Sequence, residues 1–122
     1  MMSYQVASMN GDQLFPVADV DELARQRWGD AVKWVRPTAA DRQMTVSLDP
    51  DDGPAYSIRF DSSGDSVETD GTREQTAAVA VWARSLLPAS TSSEIWLFDW
   101  NGHAALTPEL TEDQVWDRWV DD

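Results

Sequence analysis

His103 is the only histidine among the 122 residues, and there is no cysteine. These two facts remove much side-chain chemistry at once. Without Cys there is no thiolate nucleophile, no disulfide and no thiolate metal site. With a single His there is no His-rich zinc site and no Cys–His pair. A Ser–His–Asp arrangement stays open on paper, with Asp99 close to His103 in sequence, but no G-x-S-x-G elbow accompanies it. His103 flanks an Asn101-Gly102 pair opposite Trp100, a position where a histidine packs across the strand or faces solvent. Asp49, Asp51 and Asp52 before Gly53 have the flavour of a calcium loop. The glycine comes one position early, however, and the twelfth position is Phe60 where a bidentate Glu belongs. Acidic residues number 22, so close carboxylate pairs arise by chance and single out no glycosidase-like pair. Gly64, Gly71 and Gly102 stand in separate turns with no GK[ST] after them, so no phosphate loop is present. The expectation is a non-enzymatic protein with no catalytic residue, no cofactor and no metal.

Charge narrows the partner. The formal net charge is −13. Residues 1–42 hold six acids and five bases, whereas residues 43–122 hold sixteen acids and four bases. Such a field repels nucleic acid and anionic membrane surfaces and speeds encounter with a cationic partner. A merely solubilising charge is the competing reading. Nothing approaches the roughly 20 apolar residues of a membrane span. Met1–Pro16 lacks the basic and apolar regions of a signal peptide. A cytoplasmic protein is the expectation.

The elements that must carry these residues are legible from periodicity. The chain length suits one domain, residues 1–122. Tyr4–Ala7 reads as a short strand. Asp19 with Glu22 has capping-box spacing, and Val20, Leu23, Ala24 and Trp28 share a helical face that Gly29 ends. Strands follow at Val32–Val35, which Pro37 closes, at Met44–Leu48, at Tyr56–Phe60 and at Ser66–Thr69. Asp49–Gly53 and Asp61–Gly64 are turns by composition. Thr72 and Gln75 form a second capping box before Ala77–Leu87, apolar nearly all round and broken only by Arg84 and Ser85, hence a buried central helix. Val79, Val81, Trp82 and Leu86 are its core positions. Ile95–Trp100 and Ala104–Leu106 flank Asn101-Gly102, which predicts a type I′ hairpin. Thr111 with Gln114 opens a last helix, with Leu110 stapled to Val115 and an apolar stripe of Val115, Trp116, Trp119 and Val120. The fold class expected is α+β: an antiparallel sheet of about five to seven strands packed against two or three helices.

On that frame the densest acidic stretch, Asp49 to Glu74, holds eight acids against Arg59 and Arg73. Strand alternation sets Arg59 opposite Ile58 and Phe60. Asp61, Asp65, Glu68 and Asp70 then fall in or near turns, free to form one acidic edge. Such an edge suits Lys and Arg on a partner, or protects a strand edge from aggregation. Trp100 at a hairpin tip, beside acids, suits a protein interface, as does neighbouring His103. Packing of Trp100 on its own strand is the alternative.

One run of the chain resembles a known family. It comprises Tyr56-Ser-Ile-Arg-Phe through Asp70-Gly71, the helix Ala77–Leu87 with Trp82, Glu94-Ile-Trp-Leu-Phe-Asp99, and Leu106-Thr-Pro-Glu-Leu-Thr before a Trp-bearing end. In element order and acidic character it resembles the small bacterial immunity proteins of polymorphic and contact-dependent toxin systems. The resemblance implies a monomer that binds a cognate toxin domain one to one, often a basic nuclease, and inhibits it. The partner-binding residues expected are Asp49, Asp51, Asp52, Asp61, Asp65, Glu68, Asp70, Trp100 and His103, on the strength of charge and turn placement. Two other readings predict different arrangements. A nucleic-acid-mimicking regulator needs its acids in a row along one face. A small hydrolase needs Asp99 and His103 to converge in a concave pocket.

Overall fold

The computed structural model describes residues 3–38 and 43–122. Strands β1 (Tyr4–Ser8), β2 (Val32–Thr38), β3 (Gln43–Leu48), β4 (Tyr56–Asp61), β5 (Ser66–Thr69), β6 (Ile95–Phe98), β7 (Gly102–Leu106) and β8 (Val120–Asp121) form one sheet in the order β2-β3-β4-β5-β1-β6-β7-β8. All neighbours pair antiparallel. The expected α+β class is what the chain adopts, with eight strands among the described residues where five to seven were expected.

Helices α1 (Val20–Trp28) and α2 (Arg73–Ser85) are the two connections that cannot be hairpins. β1 lies between β5 and β6, so the chain leaving β5 must step over β1 to reach β6, and α2 makes that crossing. β1 to β2 is the longer step, made by α1.

Side-chain alternation then sends one set of residues toward the helices. Val6, Val46, Leu48, Ile58, Phe60, Val67, Ile95 and Leu97 are all at most 2% exposed. Val20 and Ala24 of α1 and Val79, Ala80 and Ala83 of α2 close on them in one core. Edge-to-face contacts run through it from Phe15 to Phe60, to Trp82 and on to Trp28, which ties α1 to α2. The Thr72–Gln75 capping box forms as expected: Gln75 N–H donates to the Thr72 hydroxyl at 3.2 Å, and the Gln75 side-chain oxygen accepts from Thr72 N–H at 2.9 Å.

Four local expectations are corrected. Asp19 precedes α1 but caps nothing with its side chain. A 3-10 turn over Val17–Asp19 leads into the helix and holds Asp19 at φ −104°, ψ 8°, not in the extended backbone that a cap requires. Pro37 does not end β2, which runs on to Thr38. β2 is an edge strand, and a missing N–H is tolerated there. The last helix is instead two single 3-10 turns, Glu112–Gln114 and Trp116–Arg118, followed by β8. Leu110 and Val115 are buried as expected, but Val120 is 54% exposed and leaves the stripe. Tertiary packing overrides the helical pattern: the Trp116 and Trp119 rings lie 5.4 and 5.8 Å from the Tyr4 ring, and the Trp116 indole N–H donates to Arg73 O.

The fourth correction concerns the β6–β7 hairpin. Its central residues are Trp100 and Asn101, not Asn101 and Gly102. Asp99 N–H donates to Gly102 O, and the Asp99 carboxylate accepts from the N–H groups of Asn101 and Gly102 at 2.7 and 3.0 Å. Gly102 lies in the strand without a positive φ. Its lack of a side chain serves space instead. A Cβ there would sit 2.5 Å from Val120 O and 2.7 Å from the Trp119 ring.

Candidate functional site

Both helices cover the same face of the sheet, and the second face carries the outward half of every strand. One row of cross-strand partners traverses it: Arg36, Thr45, Arg59, Glu68, Gln5, Phe98, His103 and Val120, one from each strand. A parallel row joins Ser66, Ala7, Trp96 and Ala105. The rows divide the face by chemistry. β3 to β5 present charged and hydroxyl groups. β1, β6, β7 and β8 present Gln5, Ala7, Trp96, Phe98, His103, Ala105 and Val120, apolar or aromatic apart from Gln5.

On the charged half, Arg59 stands opposite Ile58 and Phe60, as alternation requires, and it occupies the neighbouring acids. Its Nε donates to Glu68 at 2.7 Å, and its Nη1 lies 4.0 Å from Asp70. Asp70 also accepts from Ser57 N–H at 2.8 Å. Glu68 and Asp70 are therefore not the free acids that turn placement suggested. The other acids are dispersed. Asp49, Asp51 and Asp52 are exposed at the β3–β4 connection, with Asp49 3.9 Å from Lys33. Asp61 and Asp65 lie at the opposite end of β4, in the turn to β5. There Asp61 accepts from the Ser63 N–H and hydroxyl, the first of which does most to hold its carboxyl below the usual range. The single acidic edge does not form, because β4 and β5 are interior strands whose two ends point apart. Nor do these acids make one row like a phosphate backbone.

The apolar half is different. Trp96 and Phe98 are only half-buried, with no helix above them. His103 lies flat on Trp96 at 4.1 Å between ring centres, and its Nδ1 is 3.1 Å from the Asp122 carboxylate. Trp100 projects from the hairpin tip and is 85% exposed, so it does not pack on its own strand. Asp99, Asp121 and Asp122 stand around the tip. From Leu86 through Asp117 the chain has no Lys or Arg and six acids. Of the expected binding residues, the structure brings together Trp100 and His103 and adds Ala7, Trp96, Phe98 and Val120, which reading by charge missed. The signal was present in Ile95-Trp96-Leu97-Phe98. A strand apolar in both phases has two faces to cover, and only one helical layer was available.

Asp99 and His103 do not converge. The Asp99 carboxylate is turned onto its own turn, and His103 meets Asp122 instead. On the helix side an open groove of ≈ 670 Å³ lies between the end of α1, the β3–β4 connection and the start of α2. Asp52 is on its rim, and the Arg27–Glu112 pair, 3.1 Å, spans part of it. Tyr56 lines it with a hydroxyl pushed up to about 12 by burial, so it stays protonated at neutral pH. Among the described residues no three acidic or histidine side chains gather to hold a metal ion, and no helix is long and apolar enough to cross a membrane. No family model, no curated protein and no solved structure matches the chain.

Proposed function

We propose that this protein is a stoichiometric protein-binding inhibitor, an immunity protein that neutralises a basic toxin domain in a one-to-one complex. The observation that carries this reading is the uncovered apolar half of the sheet, with Trp96, Phe98 and Val120 on the face and Trp100 at its tip. Apolar surface left in water is unfavourable in proportion to its area, and a protein partner relieves it. Trp at the centre of such a patch is the residue type that most often dominates binding energy. Asp99, Asp121 and Asp122 supply the polar rim, and the net charge of −13 steers a cationic partner toward it. Asp49, Asp51, Asp52, Asp61 and Asp65 belong to that steering field, without touching the partner at this face. Glu68 and Asp70 are already held by Arg59 and contribute least.

The test is to mix the purified protein with any basic toxin domain that an adjoining gene encodes. The expected result is a one-to-one complex on gel filtration and loss of toxin activity at equimolar protein. Full toxin activity at a several-fold excess, with no complex, would overturn the reading.

A further inference from the structure

Arg84 interrupts the apolar run of α2, and its side chain is 5% exposed. A buried guanidinium calls for a carboxylate, because desolvation of an unpaired charge is costly. The chain offers 22 acids, and Arg25, Arg27 and Arg59 each have one within 4 Å. Among the described residues none lies within ion-pair distance of Arg84. Its Nη1 donates to Leu87 O and Pro88 O at 3.4 and 3.3 Å, both longer than the usual range of about 2.7–3.2 Å. Its Nε, also buried, has no partner at all. Two stretched bonds to carbonyls at the end of a helix leave the cation and one side of its fork unsatisfied.

Arg84 also lines an open cavity of ≈ 240 Å³ where β6 begins and β7 ends. Ile95, Trp96, Ala105, Leu106 and Pro108 give it apolar walls, and Thr91 and Thr107 add hydroxyls. Arg118 stands at the same corner, its Nη1 donating to the Thr107 hydroxyl at 3.4 Å. Glu109 stands nearby and is exposed. Its own backbone N–H does most to hold its carboxyl below the usual range, the Thr107 hydroxyl adds to that, and Arg118 and Arg84 add further. At about 30 Å³ per water-sized unit, the cavity holds about eight such units, the size of a short carbon chain with a head group.

We propose that this cavity is a binding site for a small monocarboxylate, with Arg84 as its anion receptor. A guanidinium presents paired N–H donors that match the two oxygens of a carboxylate. The aliphatic tail lies against Ile95, Leu106 and Pro108. A single negative charge fits better than two, because Glu94 also lines the cavity and repels a dianion. The site adjoins the sheet face assigned to the protein partner, because Trp96 and Ala105 of that face also line it.

Titration with sodium butyrate at constant ionic strength, followed by amide NMR shifts, tests the site. Butyramide, of nearly the same shape but neutral, is the control, and inorganic phosphate is the competing anion. Butyrate is expected to shift the Thr91, Ser93 and Thr107 amides saturably, and butyramide to leave them unmoved. Arg84→Lys keeps the charge but loses the fork, and weakens butyrate about tenfold, the equivalent of one charge-assisted bond. Glu109→Gln, at an exposed position, strengthens butyrate about two- to threefold at low salt by removing a competing charge. Absence of saturable shifts, equal shifts with butyramide, or displacement of butyrate by equimolar phosphate overturns the assignment. Where Arg84→Lys does not fold, the Glu109→Gln comparison decides, and an unchanged butyrate affinity counts against the site.

Discussion

The imidazole of His103 lies parallel to the indole of Trp96, with planes 9° apart and ring centres 4.1 Å apart. The two residues sit on neighbouring strands, diagonal to one another, since Trp96 pairs with Ala105 and His103 with Phe98. The stack stiffens the apolar half of the sheet face and holds Trp96 half-covered. A stacked aromatic pair contributes about 0.5–1.5 kcal/mol beyond its buried area. His103→Ala is therefore expected to destabilise the fold by about 1 kcal/mol and to shift Trp96 emission to the red as water reaches the ring. His103→Phe separates the two contacts of this side chain. It retains the stack and loses the bond to Asp122, so it should recover most of the stability in urea unfolding. If His103→Phe is as unstable as His103→Ala, the Asp122 contact matters more than the stack.

Tyr56 gives a pH dependence with a definite sign. Burial is the largest cause of the rise from 10.0 to about 12, and the Arg27 charge opposes it. The folded state thus keeps its phenolic proton where the unfolded state has lost it. Tyr56 adds nothing to the pH dependence below pH 10. Between about pH 10 and 12 the native protein binds more protons than the unfolded chain, and stability falls as pH rises. Tyr56→Phe removes the titrating group, so its stability should fall more gently over the same window. Parallel slopes for the two proteins in urea unfolding between pH 9 and 12 would show that Tyr56 does not titrate as its burial requires.

Gly102 and Thr72 test two kinds of local constraint. Thr72→Ala deletes the acceptor for Gln75 N–H and should cost about 1 kcal/mol, the usual worth of an N-cap. Gly102→Ala meets backbone, not a flexible side-chain tip, since Val120 O would be 2.5 Å from the new methyl. The expected outcome is release of β8, seen as loss of amide protection at Val120 and as weakened Asp122 N–H to Asn101 O contact. The rest of the sheet should keep its protection. Protection at Val120 unchanged in Gly102→Ala would mean that β8 accommodates the methyl by sliding.

The contrast between these two positions shows what the sequence discloses. Thr72 and Gln75 act within four residues, so spacing alone identifies the cap. Val46, Ile58 and Phe60 alternate within their strands, so their common burial is legible without knowing the strand order. Asn-Gly has a local conformational preference that marks Gly102 as a turn glycine, yet its constraint comes from Trp119 and Val120, which approach from the end of the chain. Glu68 and Asp70 look free in the sequence because Arg59 is nine residues or more away, and only the β4–β5 register brings it opposite. Thr111 to Val120 carries a helical stripe, but packing of Trp116 and Trp119 on Tyr4 pulls it into short turns. Local signals survived where the competing interaction was also local. The acids of the candidate site are visible in composition, whereas the apolar face depends on which side of β6 the helices leave uncovered.

Trp100 separates folding from binding most cleanly. At 85% exposure it buries little against its own chain, so Trp100→Ala should change stability by no more than about 0.5 kcal/mol. As the tip of the apolar face it should nevertheless cost at least about 2 kcal/mol of partner affinity, roughly thirtyfold in Kd. Asp51→Asn provides the control, because Asp51 is exposed in the β3–β4 connection, off the apolar half. That change should slow association modestly at low salt and leave the dissociation rate alone, as expected for a charge outside the contact. The experiment is a rate measurement at two salt concentrations with the basic toxin domain proposed as the partner. Faster dissociation for Trp100→Ala combined with slower association for Asp51→Asn assigns contact and steering to different parts of the molecule. If Asp51→Asn speeds dissociation and Trp100→Ala does not, the partner sits at the β3–β4 end and the apolar face must be covered by something else.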